Sequence, residues 1–470
     1  MRVRLRRALA TLGLGTCLVV EPTVARAAGL YFSDRGVRPL GRGGAFVAGA
    51  DDLGAIWYNP AGLADAGTSF LLDASWLNFS STYVPQALVT DANGAQYTTT
   101  YPTAKGSTPF LPIPTIGFSF AFGPRKEWTL ATGAFSSYTA VASYPSTAQS
   151  RYSLISLNGS ALLTSGLWLA YKPIEQIRIG AGFELLFGSF ATQVAMNSNP
   201  SNRVLSAPLD PNYDAITQLT VGPIVAPTGN AGVTIVPSKY VRIGLSGQLP
   251  TQINSSATMQ VRLPTAVLYD NATVSGNQGT VAFNLPGVLR AGVEVRPIDA
   301  LRIELAYVRE LWSNHEAIDI DPNGITLSGI TGFPPNFKVG DISIPRHFQD
   351  SNSLRLGGEY GLPIASYVLD LRAGAAIESS AIPPNYESAL TVDMNKLMVS
   401  LGLGFHVSAH WRFDALYAHI FGETVTTSPA TAAVPLINPV QGNPTATTAV
   451  NGGTYSAQAD VVGVGFNYAF

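Results

Sequence analysis

Apolar and polar residues alternate with a period of two in many short stretches of this 470-residue chain. In residues 116–122, Ile and Phe alternate with Gly, Ser and Ala, and in residues 397–405, Leu, Val and Phe alternate with Met, Ser and Gly. Successive side chains of a β-strand point to opposite faces. Each stretch therefore predicts a strand with one apolar face and one small or polar face.

About fourteen such stretches follow one another along the chain. They lie near 68–79, 115–122, 127–137, 161–171, 176–188, 229–236, 240–249, 287–296, 300–309, 353–361, 366–378, 396–408, 410–421 and 457–470. Ten residues of strand rise about 33 Å. Tilted by about 40°, such a strand crosses the ~25 Å apolar band of an outer-membrane barrel, in which an even strand number is usual. The pattern predicts an all-β fold, an antiparallel transmembrane β-barrel of about fourteen strands over residues 67–470.

The residues on the small or polar face of these strands indicate whether the apolar face meets lipid or the core of a soluble protein. A soluble β-sandwich also alternates, but its outer face should carry many Lys and Glu side chains, whereas glycine recurs here. Charged residues make up only 12% of the chain. These features favour an apolar face in lipid and a small-residue face in a crowded lumen. A secreted soluble β-protein is the less favoured alternative. The 28 basic and 30 acidic residues nearly cancel, so nucleic acid is not expected as a partner.

The links between the strands alternate in length. Short links near 172–175, 297–299 and 407–409 predict periplasmic turns, and long polar links near 189–228, 310–352 and 422–456 predict extracellular loops. This alternation is typical of an up-and-down barrel. The last strand ends on Phe470, and a terminal aromatic residue resembles the signal read by the outer-membrane assembly machinery.

Residues 1–27 have the anatomy of a secretory signal peptide. Four arginines precede an apolar stretch over 8–20, and small residues at Ala25 and Ala27 predict cleavage after Ala27. Arg6-Arg7 lacks the rest of a twin-arginine motif, and the bulky Thr16 disfavours a lipoprotein site at Cys17. Because Cys17 is the single cysteine, the mature chain is expected to contain no disulfide.

Residues 28–66 lack the alternation and are rich in glycine. A fourteen-stranded barrel is too wide for its own wall side chains to fill, so its lumen is either an open channel or a plugged space. A compact segment of about forty residues before the first strand predicts such a plug.

The same region carries ordered motifs: Gly29-Leu30, Gly41-Arg42-Gly43-Gly44-Ala45, Ala50-Asp51-Asp52 and Asn59-Pro60-Ala61-Gly62-Leu63. These resemble, in order, the N-terminal hatch of the FadL/TodX (OmpP1) family of outer-membrane transporters for long-chain fatty acids and other hydrophobic compounds. Leu285-Pro286-Gly287, Phe348-Gln349-Asp350, Ile382-Pro383-Pro384 and the closing Phe466-Asn467-Tyr468-Ala469-Phe470 are similar to later parts of that family. The resemblance extends over essentially the whole mature chain.

The resemblance implies a function. A hydrophobic ligand, either a long-chain fatty acid or an aromatic hydrocarbon, is bound at an extracellular loop groove and passes to a pocket near the mature N-terminus. It then leaves sideways into outer-membrane lipid through an opening at the third strand. The expected state is a monomer without cofactor. The alternative function is a general diffusion porin for small polar solutes.

The resemblance and the strand pattern together nominate site residues. Hatch and gating candidates are Gly41, Gly43, Gly44, Asp51, Asp52, Asn59, Pro60 and Ala61. Ligand-pocket candidates are Leu30, Tyr31, Phe32, Arg242, Arg290 and Arg372, and the lateral-opening candidates are Gly133, Ser137 and Tyr138. The three arginines project into the lumen by parity, and arginine suits bidentate carboxylate contact.

Each nomination has a purely structural alternative. Asp51 and Asp52 either latch the hatch to Arg42 or lumenal arginines, or make only local hydrogen bonds. Most lumenal arginines are expected to pair with inward-facing acids, and Asn59-Pro60 also suits a simple turn. Gly133 either allows a bend in the third strand or only makes room for the hatch.

Catalysis finds little support in the sequence. The five histidines form no metal-ligand motif, and no nucleophile elbow, phosphate-binding loop or dinucleotide fingerprint occurs. The chain is therefore not expected to be an enzyme or to bind a metal.

Overall fold

The structure, a computed structural model, describes residues 34–90, 93–108, 112–136, 142–200, 210–441, 443–445 and 448–470. The signal peptide, the pocket candidates Leu30, Tyr31 and Phe32, and the lateral-opening candidates Ser137 and Tyr138 lie outside these residues. They stay predictions.

Fourteen long strands form one closed antiparallel barrel. They are β1 Ser69–Thr90, β2 Pro112–Phe122, β3 Trp128–Phe135, β4 Ala161–Ile174, β5 Ile177–Asn197, β6 Asp214–Ser238, β7 Val241–Gln248, β8 Val288–Ile298, β9 Leu301–Glu310, β10 Ser351–Ile364, β11 Tyr367–Glu378, β12 Lys396–His406, β13 Trp411–Gly422 and β14 Gly453–Ala469. Each strand pairs with the next. The barrel closes because β1 pairs with β14 from Ser69–Ala469 to Pro85–Gly453. The predicted fold class is confirmed, and every predicted stretch overlaps one strand.

The two faces of the barrel differ as the alternation predicts. Large apolar side chains point outward and are exposed, as in Phe120 at 53% and Leu401 at 60%. At the short-turn end, aromatic rings contact one another: Trp128 lies 4.0 Å from Tyr171 between ring centroids, and Trp411 4.6 Å from Tyr468. Aromatic girdles of this kind mark the membrane–water interface of outer-membrane barrels.

Several strands extend further than the pattern predicts. The loop expected near 189–228 is wrong in its extent, because β5 continues to Asn197 and β6 begins at Asp214. β1 likewise continues to Thr90. These extensions lie beyond the apolar band, where no lipid face imposes alternation, so the sequence signal ends before the pairing does. At the other end, the turns near 172–175 and 297–299 are shorter, since the strands reach Ile174 and Ile298.

Smaller elements form a layer at the long-loop end. Its strands are Gln96–Thr100, Ala104–Ser107, Thr251–Arg262, Thr273–Ser275, Gln278–Leu285, Ala317–Asn323, Thr326–Ser328, Phe337–Lys338, Ile342–Pro345 and Val425–Thr427. Its 3-10 helices are Gln149–Tyr152, Pro211–Tyr213, Val267–Tyr269, Trp312–Asn314 and Pro384–Tyr386. An apolar cluster that includes Leu219, Met259 and Ile342 holds this layer together.

Residues 34–66, hereafter the lumenal segment, lie inside the barrel. They contain two short helices, α1 Val37–Gly41 and α2 Ala55–Tyr58, and the 3-10 helix Pro60–Asp65. Nearly all of the segment is buried. In the described part of the chain, no helix combines the length and apolar character needed to span a bilayer.

Candidate functional site

Glycines allow the lumenal segment to lie directly against the barrel wall. Gly43 and Gly44 have positive φ angles of 65° and 72°, which favour glycine. The Gly43 N–H donates to Ser400 Oγ at 2.9 Å. A Cβ added at Gly43 would lie 2.7 Å from the backbone nitrogen of Ala375, and one added at Gly41 would lie 3.1 Å from Gly402 Cα. The inward-facing glycines of the wall therefore accommodate this segment.

Asp51 and Asp52 belong to a buried network of charges. Arg38 of α1 contacts Asp51 at 2.8 Å, Asp52 at 2.9 Å and the wall residue Glu359 at 2.8 Å. Arg302 on β9 lies 2.7 Å from Asp51. Burial alone would raise the pKa of Asp51, but Arg302 and Arg38 hold it below its ordinary value. The segment is thus bound to β9 and β10 by ion pairs that are largely withdrawn from water.

Asp52 makes both a local hydrogen bond and a contact with the barrel wall. One carboxylate oxygen accepts from Gly54 N–H at 2.9 Å, a local hydrogen bond, and the other contacts Arg412 of β13 at 2.9 Å. Arg42 is not the partner of either aspartate. It contacts Glu294 at 2.9 Å and Glu304 at 3.4 Å.

Glu304 is an anchor that the sequence pattern did not nominate. One carboxylate oxygen accepts from Val47 N–H at 2.6 Å and Ala48 N–H at 2.9 Å, and the other accepts from Gly49 N–H at 2.9 Å. Alternation predicts that Glu304 points inward. It does not reveal that a stretch of bare backbone, about 255 residues earlier in the chain, supplies the donors.

Asn59 combines a turn with a wall contact. Its side-chain oxygen accepts from Ala61 N–H at 3.2 Å and so begins the 3-10 helix at Pro60. Its side-chain nitrogen donates to Val47 O at 2.9 Å and to Thr234 Oγ1 of β6 at 3.0 Å. The motif therefore sets the local turn and also joins the segment to the wall.

The three nominated arginines differ in their partners. Arg242 donates to Ala48 O at 3.0 Å and contacts Asp65 at 2.9 Å. Arg372 contacts three carboxylates, of Glu359, Asp370 and Asp414, at 2.6 to 2.8 Å. Both guanidinium groups are therefore already engaged.

Arg290 is different from both. It is 4% exposed, and its guanidinium lies over the Trp57 ring, 4.8 Å from the centroid. Among the described residues it makes no hydrogen bond or ion pair. Glu184 is the described carboxylate with which it interacts electrostatically. Unlike Arg242 and Arg372, Arg290 therefore keeps hydrogen-bond donors that no described carboxylate has engaged.

Gly133 lies in regular pairing in β3, opposite Gly117 on β2 and Gly166 on β4. Its missing side chain makes room for the lumenal segment, since an added Cβ would lie 3.1 Å from Ile56 Cδ1. Next to it, Phe135 packs edge-on against Trp57 at 5.2 Å between centroids. This side of the segment is held by apolar contacts rather than by ion pairs.

A second group of buried polar side chains lies in the loop layer above the segment and was not nominated. Arg346 is fully buried, and within the described part of the chain its Nε and Nη2 have no hydrogen-bond partner. Burial, together with Arg346, lowers the pKa of His315 to about 4. Burial, together with Asp393, raises the pKa of Glu387 well above its ordinary value. No alternation exists in loops, so the sequence offered no signal for these residues.

A closed barrel of fourteen strands with an apolar girdle and an occupied lumen defines a class of outer-membrane transport proteins. Comparison with known proteins agrees. Residues 18–470 match the family model described as outer membrane protein transport protein (OMPP1/FadL/TodX). The chain therefore belongs to this family of transport proteins, which are not enzymes, and its place is the Gram-negative outer membrane.

Solved structures share the fold at low sequence identity. A FadL homologue of Pseudomonas aeruginosa is 16% identical, with a TM-score of 0.70 over 94% of this chain and 100% of that one. The toluene transporter TodX of P. putida is 16% identical, with a TM-score of 0.62 over 93% and 99%. The toluene transporter TbuX of Ralstonia pickettii is 16% identical, with a TM-score of 0.58 over 93% and 99%. No curated protein sequence matches the chain.

Proposed function

We propose that this protein takes up hydrophobic small molecules across the outer membrane by binding them inside the barrel, next to the lumenal segment. In this proposal the segment acts as the hatch. The relatives named as toluene transporters support an apolar cargo. Burying such a molecule is favourable by about 25 cal/mol per Å² of apolar surface, which offsets the barrier that a polar surface layer presents to it.

We further propose that the cargo includes amphipathic acids such as long-chain fatty acids. The carrying observation is Arg290, a largely buried lumenal arginine stacked on Trp57, which interacts electrostatically with Glu184 but makes no hydrogen bond or ion pair among the described residues. A bound carboxylate would supply the missing acceptors. A purely hydrocarbon cargo would supply no acceptor to the Arg290 guanidinium.

Release is proposed to occur sideways, beside the upper end of β3. The described pairing of β3 ends at Phe135, opposite Thr115 and Thr164, whereas β2 and β4 continue further toward the long-loop end. Passage of the cargo straight through the barrel to the periplasm would instead require the ion pairs around Arg38 to break.

The test compares a long-chain fatty acid with its methyl ester, which has the same chain but no charge. Replacing Arg290 by Met should weaken binding of the acid by about tenfold or more, the value of one charge-assisted hydrogen bond. Binding of the ester should not change. Arg309→Met, which removes an exposed ion pair with Asp350, is the matched control. If Arg290→Met weakened the binding of the acid and of the ester equally, Arg290 would not bind the carboxylate head group.

The porin alternative makes a different prediction for the intact protein. It requires a large open-channel conductance and no saturable binding of either compound. Finding both would replace the proposal.

A further inference from the structure

A small polar cavity lies beside Trp57, between the lumenal segment and the inner face of strands β4 to β8. Its lining includes Thr164, Glu184, Thr228 and Gln248. The cavity has a volume of about 10 Å³, roughly what one water molecule or one hydroxyl group needs. It can therefore receive a single small polar group but not a hydrocarbon chain.

Two residues of this lining keep a buried oxygen that has no hydrogen-bond partner among the described residues. These oxygens are Oε1 of Glu184, a residue that is 0% exposed, and Oε1 of Gln248. The other carboxylate oxygen of Glu184 accepts from Gln248 Nε2 at 3.0 Å. The Gln248 amide cannot be reversed, because its oxygen would then face the Glu184 carboxylate. Trp168 Nε1–H, although close to Glu184, donates to Asn230 at 3.1 Å.

The charges around the cavity restrict which donor can bind there. A buried acceptor without a donor costs free energy, so the cavity is suited to a group that donates a hydrogen bond. Arg290 stacks on the same Trp57 ring and interacts electrostatically with Glu184, so it would repel a second cation such as an ammonium group. A neutral hydroxyl avoids this repulsion, and it can donate and accept at once.

We propose that the lumenal site is selective for hydroxylated acids. The carboxylate of the cargo binds Arg290, and a hydroxyl on a nearby carbon enters the cavity and binds Glu184 and Gln248. Because Trp57 contacts both the Arg290 guanidinium and the cavity, the two groups are only a few bonds apart in the cargo. The inference rests on the proposed function, in which Arg290 binds the carboxylate, and it adds the substrate class, a 2- or 3-hydroxy fatty acid.

The experiment measures the affinities of palmitate and of 3-hydroxypalmitate for the full-length protein in lipid nanodiscs. Both acids have the same chain and the same carboxylate, so their ratio isolates the hydroxyl. The parent protein should bind 3-hydroxypalmitate about fivefold more tightly, the value of one hydrogen bond.

Variants of the two acceptors test whether the cavity causes this preference. Glu184→Met and Gln248→Met each remove one acceptor at nearly constant side-chain volume, and each should bring the ratio of the two affinities close to one. The ratio does not depend on the fraction of folded protein, so it reports recognition rather than stability. Gln252→Met, at an exposed position one residue after the lining residue Thr251, is the matched control and should keep the preference of the parent.

Two results would overturn the inference. Equal affinities of the two acids in the parent would show that the cavity holds only water. A preference that survives in both Glu184→Met and Gln248→Met would place the hydroxyl elsewhere. Arg290→Met distinguishes these failures from failure of the proposed function, because it should weaken the binding of both acids but not of the methyl ester, whatever the ratio. If neither acid bound saturably, the proposed function and the inference would fail together.

Discussion

At the scale of single residues, parity predicts where a side chain points but not what it meets. Seven arginines of the wall, including the three nominated for the ligand pocket, occupy inward-facing positions of the alternation: Arg178, Arg242, Arg290, Arg302, Arg355, Arg372 and Arg412. Some of their partners come from distant parts of the chain, as in the pair of Arg412 and Asp52, 360 residues apart. Arg242 makes a hydrogen bond and an ion pair, whereas Arg290 makes neither among the described residues. This difference depends on tertiary packing and cannot be predicted from the alternation.

The buried pair of Arg42 with Glu294 and Glu304 allows a stability prediction. All three side chains are fully buried, and removing one partner of a buried ion pair typically costs about 3–5 kcal/mol. We expect Arg42→Met to lower the unfolding temperature of the protein by many degrees, because Glu304 loses its cation. The measurement is the temperature at which the heat-modifiable gel migration changes.

Lys239→Met is the control for Arg42→Met. Lys239 contacts Asp299 at 3.5 Å, with side chains 64% and 90% exposed, and exposed pairs contribute about 0–1 kcal/mol. Equal transition temperatures for the two variants would show that the Arg42 pair does not stabilise the fold.

At the scale of strands and helices, the sequence predicted the strands only where they cross the apolar band of the membrane. Inside the apolar band, lipid on one side imposes alternation, and all fourteen strands were found. Above the band, both faces of β5 and β6 meet protein or water, so their outer halves carried no such signal. The short helices of the lumenal segment have no regular periodicity either; its missing alternation, its glycines and its family motifs predicted a compact unit but not these helices.

Strand β2 carries a testable feature of the proposed sideways release. The Pro114 carbonyl accepts from Ser136 N–H at 3.4 Å, so the nitrogen of Pro114, and that of Pro112 two residues earlier, also faces β3. Neither can donate to a neighbouring strand. Replacing both by Val adds two donors at lipid-facing positions and should slow uptake severalfold by extending the pairing, without changing binding affinity.

The measurement for the proline variant is uptake of labelled ligand into cells, together with binding to purified protein. Pro363→Val, at the short-turn end of β10, is the control and should leave uptake unchanged. Unchanged uptake in the double variant would place the exit elsewhere.

At the scale of the whole molecule, the barrel and the lumenal segment contribute separately. Strand pairing closes the wall through β1 and β14 without help from the segment. The segment fills the lumen by contacts to inward side chains. Deleting residues 34–66 should therefore leave a folded barrel with a much larger single-channel conductance and without selective ligand binding.

Planar-bilayer recordings test the deletion, and heat-modifiable migration verifies that the barrel has folded. A folded deletion variant with the conductance of the parent would show that the segment does not close the lumen.

Because the charges around Arg38 are buried, the strength of their ion pairs should depend little on the salt concentration outside the cell. Dissolved ions weaken attractions between exposed charges, because the screening distance falls from about 10 Å at 0.1 M to about 3 Å at 1 M. Sodium and chloride have little access to side chains that are at most one-fifth exposed within the barrel. A change from low to high external salt should therefore leave the ion pairs of the lumenal segment around Arg38 unchanged.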